Sequence, residues 1–218
     1  MPQEFLWQLS IWAFPVLVAI VFHEVAHGWV AYRLGDPTAA VMGRLTLNPL
    51  SHIDMVGTVL LPAFLIWAGG PVFGYAKPVP VDYDNLKDPR RDMIRVALAG
   101  PGTNIILALL SLVVVKLLLM SGNAAAGSTT TYLWYMALTS VRINVMLAVF
   151  NILPVPPLDG GRVLVGVLPE AQAMQVARIE PFGFIIVVAL LMIGALEYTL
   201  VPIMDLVVWF LAVLVGVV

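Results

Sequence analysis

Long apolar runs separated by short polar stretches dominate the chain. A membrane-crossing helix takes about 20 apolar residues, within a range of about 17–25. Four regions meet that length: about Phe5 to Leu34, Ile94 to Met120, Tyr132 to Leu153 and Phe182 to Val218. The last is long enough for two short passes, with the bend expected at Pro202, between Glu197 and Asp205. A fifth apolar stretch, Val56 to Trp67, is about a dozen residues, too short to span. Gly57, Pro62, Gly69, Gly70 and Pro71 ring it, which suits a re-entrant or interfacial element. Phe73 to Asp92 reads as a surface loop with a short strand at Pro78-Val79-Pro80-Val81, and Gly122 to Thr131 as a small polar turn. The expected fold is an all-α polytopic membrane protein of about five to six transmembrane helices, with a short re-entrant or β-like segment on the cytoplasmic side. It forms one membrane-embedded domain over residues 1–218, with its core at about 5–165 and a C-terminal helix or helical hairpin at about 182–218.

Composition strengthens this picture. Of 218 residues, 61% are hydrophobic and 11% charged, against roughly 45–50% and 25% in an average soluble domain. The excess must face lipid or another protein. The absence of cysteine excludes thiol redox chemistry and a disulfide scaffold. With eleven Lys and Arg and a net charge of −2, the chain lacks the basic surface that nucleic-acid binding needs. No Lys or Arg precedes the first apolar run, so the basic region of a cleaved signal peptide is missing and that run is expected to be retained. Arg33, Arg44, Lys77, Lys87, Arg90, Arg91 and Arg95 all fall between the first two spans or at their facing ends, whereas the amino terminus and the Gly122–Thr131 turn carry none. Basic loops stay inside, so the large loop is expected in the cytoplasm and the amino terminus outside a multi-pass cell-membrane protein.

The first span contains His23-Glu24-Val25-Ala26-His27, an H-E-x-x-H pattern. Helical residues four apart point the same way, so the two imidazoles can share one tetrahedral zinc, with Glu24 beside it to take a proton from water. Ionisable residues at membrane depth cost about 2.5–3.5 kcal/mol each on insertion scales, and a metal compensates three of them together. Catalytic zinc sites use three side chains, so a third ligand must come from elsewhere. His52 and several carboxylates compete. Asp82, Asp84, Asp88 and Asp92 lie in the polar loop and read as solvated surface; His52 reads as a loop histidine with local hydrogen bonds. Asp159 follows Asn151-Ile-Leu-Pro-Val-Pro-Pro-Leu158, where three prolines break the helix, and precedes Gly160 and Gly161. An unwound stretch with a carboxylate is tolerated in a membrane only inside protein or a wet cavity, although an ordinary helix-terminal turn would read the same way.

Three blocks together resemble the site-2 protease family of intramembrane zinc metalloproteases: His23-Glu24-x-x-His27, Ala99-Gly100-Pro101-x-x-Asn104, and Asn151-x-x-Pro154-x-Pro156-x-Leu158-Asp159-Gly160. The resemblance implies that His23, His27 and Asp159 bind one Zn2+ per chain and that Glu24 is the general base. It also implies that Asn151 holds the substrate near the metal; physically, an amide there can donate a hydrogen bond to a developing oxyanion, although a helix-ending asparagine would read the same way. Asn104 and Asn144 are weaker candidates, equally readable as interhelical polar contacts. The implied activity is hydrolysis of peptide bonds in or near the transmembrane segment of a single-span membrane protein, with the active site nearer the cytoplasmic side. The resemblance further implies regulated release of a transcription regulator or clearance of membrane-peptide remnants. The re-entrant stretch or the Pro78–Val81 run could present a strand edge to an unwound substrate, though prolines weaken the latter. A metal-ion transporter or channel is the alternative, with Asp54, Glu197 or Asp205 extending a line of ligands; a catalytically silent scaffold is a third, which the intact Glu24 opposes. The sequence assigns no oligomeric state.

Overall fold

Each long apolar run becomes a helix. The computed structural model describes residues 2–69, 74–121 and 129–218, with side chains from residue 7 onward. Helix α1 (Pro2–Leu34) is followed by the short α2 (Thr38–Val41). A π-helical stretch, Met55–Leu60, runs into α3 (Leu61–Ala68), which stops at Gly69 in the left-handed conformation with φ 70°. Then come α4 (Pro89–Met120), α5 (Thr129–Asn151), α6 (Asp159–Val167), α7 (Glu170–Ala177), α8 (Glu180–Met192) and α9 (Ala195–Val215). Helices α1, α4, α5 and α9 are long and apolar enough to cross a membrane. Helices α7 and α8, bent by 63°, would make a fifth span if taken together, which reaches the lower figure of the expected five to six. The all-α expectation holds, and no strand occurs among the described residues.

Two local expectations change. The break in the last apolar region falls at Gly194, with φ 71°, and Pro202 sits inside α9. An apolar helix tolerates proline where neighbouring helices and local adjustment satisfy the freed carbonyl, whereas the left-handed turn requires glycine. The Pro78–Val81 run is extended but joins no sheet: its prolines lack N–H groups, and Val79 donates its own to a side chain of α1. Most of the Gly122–Thr131 turn, and Gly70 and Pro71, lie outside the described residues.

Asp54 caps the Met55 stretch by accepting from Val56 and Gly57 N–H, and Asp88 caps α4 by accepting from Arg91 N–H. The core packs Ala108 and Leu112 of α4 against Val141, Val145 and Val149 of α5 and Leu200, Leu211 and Ala212 of α9. Large side chains such as Phe14, Ile106, Leu110 and Leu206 point outward, 57–63% exposed, as a lipid-facing surface requires. Lys116 Nζ donates to the Val215 carbonyl at 2.6 Å and caps the end of α9. A second small core, Ala31, Leu86 and Val96, fastens the segment after Val79 to α1 and α4.

Candidate metal centre

His23 and His27 lie one turn apart on α1, both buried. Asp159 is the first residue of α6 and is also buried. Its carboxylate stands 3.2 Å from His23 Nε2 and 3.3 Å from His27 Nε2, and the two Nε2 atoms are 3.0 Å apart. Of the described residues, these three form the one group of His, Asp or Glu placed to hold a metal ion.

Glycines make the convergence possible. A Cβ on Gly100 of α4 would lie 2.5 Å from His27 Nε2 and 2.6 Å from His23 Nε2, so only a bare backbone leaves room for both rings. Cβ atoms on Gly160 and Gly161 would overlap the Ile152 carbonyl and the Pro156 backbone. The proline-broken stretch therefore packs directly on the first turn of α6 and fixes Asp159, whose carboxylate is also favoured at a helix N-terminus.

Hydrogen bonds settle the imidazole tautomers. Asn104 Nδ2 donates to the Ala19 carbonyl at 3.2 Å and to Asn144 Oδ1 at 2.9 Å, so its Oδ1, 2.6 Å from His23 Nδ1, must accept a proton from that nitrogen. Asn144 Nδ2 in turn donates to the Ser140 carbonyl at 2.8 Å, which fixes its own orientation. His27 Nδ1 donates to the Val96 carbonyl at 2.7 Å. In the neutral rings both Nε2 atoms then carry lone pairs, and they face each other and a carboxylate with no proton between them. Asp159 Oδ2 is buried and accepts no hydrogen bond. Two neutral imidazoles and one carboxylate around a common point fit a tetrahedral zinc with its fourth position open. Asn104 and the Val96 carbonyl supply the outer hydrogen bonds that orient metal-binding histidines.

Glu24, half-buried beside this group, accepts a 2.8 Å hydrogen bond at Oε2 from the Val79 N–H. Asn151 ends α5, and its amide donates to the Leu147 carbonyl at 3.0 Å; no described contact joins it to the histidines. The rival ligands are elsewhere. His52 donates to the Thr46 carbonyl at 2.8 Å, Asp82 accepts from Asp84 N–H, and Asp92 pairs with Arg95. Asp54, which a conduction path would enlist, is a cap. Sequence reasoning undervalued Asn104, quoted Gly100 within its block without giving it a role, and missed the Val96 carbonyl and the Val79 N–H. The Gly-Pro pair and the asparagine one turn later on an apolar helix were the available signals for the first two; the backbone partners leave none.

The sequence profile of Peptidase family M50 matches residues 11–124 and 116–194. The chain is 36% identical over 190 residues to "Putative zinc metalloprotease YwhC" of Bacillus subtilis, covering 87% of this chain and 84% of that protein. It is 32% identical over 195 residues to "Putative zinc metalloprotease Rip2" of Mycolicibacterium smegmatis, covering 89% and 70%. More distantly, it is 23% identical over 155 residues to "Zinc metalloprotease MJ0392" of Methanocaldococcus jannaschii, covering 71% and 33%. No solved structure matches. With most of its length matched by the profile, the chain belongs to Peptidase family M50, the site-2 protease family.

Proposed function

We propose that this protein is a zinc-dependent intramembrane endopeptidase that hydrolyses peptide bonds in or near the transmembrane segment of single-span membrane proteins. The observation that carries the reading is the meeting of two imidazole lone pairs and the Asp159 carboxylate around one point, with Glu24 next to it. His23, His27 and Asp159 would hold the zinc, which supplies Lewis acidity, polarising a carbonyl and acidifying water. Glu24 takes the proton of the attacking water and later delivers it to the leaving amine. Its Oε2 is occupied by Val79, and Oε1 accepts no hydrogen bond among the described residues, so that oxygen is free to carry the proton. Asn151, with one amide hydrogen on Leu147 and a second to offer, holds the developing oxyanion.

A substrate helix must unwind before its carbonyls are accessible, because they are hydrogen-bonded along the helix. The basic residues between the first two spans favour a cytoplasmic position for the ends of α1 and α4 nearer the site, with water arriving from that side. Residues 1–218 act as a single domain, with the chemistry confined to about 5–165. The test is Glu24→Gln: it retains zinc but no longer cleaves a co-expressed single-span reporter. Unchanged cleavage removes Glu24 as the base.

A further inference from the structure

We infer that the backbone N–H of Val79, held over α1 by an extended strap, positions the Glu24 carboxylate for proton transfer. The inference rests on Glu24 being the base and adds the group that holds it. Val79 N–H donates to Glu24 Oε2 across 55 positions of sequence. Its neighbours, Pro78 and Pro80, have no N–H, so within that tripeptide Val79 is the sole backbone donor. The prolines also keep the strap extended without a sheet to support it.

The strap is fastened around this one donor. Arg44 Nη2 donates to the Lys77 and Pro78 carbonyls at 3.0 and 3.3 Å. Lys77 N–H donates to the His52 carbonyl at 2.9 Å, and Asp82 N–H donates to Asp36 Oδ2 at 2.9 Å. The Val79 side chain is buried above Gly28, one turn after Glu24 on the same face of α1. A Cβ on Gly28 would lie 2.6 Å from Val79 Cγ1, so the glycine lets the strap lie directly on the helix beside the carboxylate. A glutamate has several free torsions; one fixed donor at Oε2 selects a rotamer and leaves Oε1 available. Val79 is thus a positioning residue, acting through Glu24.

Val79→Pro removes the donor while a run of three prolines keeps the strap extended; Val79→Ala keeps the donor and removes the side chain. Both are tested as full chains in phospholipid proteoliposomes, with a single-span reporter whose transmembrane segment carries glycines. Val79→Pro is expected to lower kcat about 10- to 100-fold, the range for losing a hydrogen bond to a charged group, with KM and zinc content unchanged. Val79→Ala, which keeps the donor, is expected to lose clearly less kcat than Val79→Pro. Hydrogen exchange at the Val79 amide gives a readout without turnover: slow in wild type, and accelerated in Glu24→Ala. Wild-type kcat in Val79→Pro, alongside an inactive Glu24→Gln, overturns the inference and leaves Glu24 as the base; an active Glu24→Gln removes the base reading itself. Equal losses in Val79→Pro and Val79→Ala, with amide exchange indifferent to Glu24→Ala, make the strap purely structural and also overturn it.

Discussion

Asn104 on α4 accepts the Nδ1 proton of His23 on α1 at 2.6 Å, and the orientation of its amide is fixed by Ala19 and Asn144. That contact directs the lone pair of His23 Nε2 toward Asp159. Replacing Asn104 by leucine is expected to weaken zinc binding about 10- to 100-fold, the usual cost of losing an outer hydrogen bond to a metal-binding histidine. Asn104→Asp, which keeps an acceptor, should lose less. Competition with a chromophoric chelator measures both.

Gly100→Ala adds a methyl group 2.5 Å from His27 Nε2. The rings must move apart, so zinc content should fall, and overpacking should cost about 1–3 kcal/mol of stability. Gly102→Ala, on the same helix with nothing within 4 Å of its added carbon, should leave zinc content unchanged and stability no lower, and serves as the control. Zinc analysis with thermal unfolding of the purified variants checks the pair.

Asp36, just beyond the C-terminal end of α1, is fully buried. Burial opposes its ionisation, but hydrogen bonds from the Thr38 hydroxyl, the Asp82 and Thr38 N–H groups and Asn85 outweigh it and lower its pKa. A carboxylate with a depressed folded-state pKa stabilises fully above its unfolded value, about 3.9, and loses that contribution as pH falls through the folded value. Wild type should therefore exceed Asp36→Asn in stability by about 1–3 kcal/mol at neutral pH. The gap should stay constant down to about pH 4 and shrink below it. Unfolding curves across that range read the gap directly, and a gap that widened on acidification would reverse the sign.

Gly160→Ala should displace Asp159, because its Cβ would overlap the Ile152 carbonyl, an atom of the backbone that cannot rotate away. The expected outcome is loss of zinc with the transmembrane helices intact, read by zinc analysis and far-ultraviolet circular dichroism.

How much of this was legible beforehand follows from the range of each interaction. His23, Glu24 and His27 are separated by at most one helical turn, and the prolines before Asp159 and the glycines after it announce a break, so that group could be read from residue types and spacing. The contacts that orient it join His23 to Asn104, His27 to Val96 and Glu24 to Val79, across 81, 69 and 55 positions. Two of those partners are backbone atoms, which any residue at Val96 or any non-proline residue at Val79 would provide. The bend expected at Pro202 failed because proline is tolerated within an apolar helix, while Gly194 supplied the left-handed turn. The strand expected near Pro78 failed because Pro78 and Pro80 have no N–H and that of Val79 is committed to Glu24.

The central claim is that Asp159 and the two α1 histidines share one metal ion, and zinc content of the purified full chain, wild type against Asp159→Ala, tests it most directly. About one zinc per chain in wild type, most of it lost in Asp159→Ala with the fold retained, is the predicted result. Undiminished zinc in Asp159→Ala would contradict it.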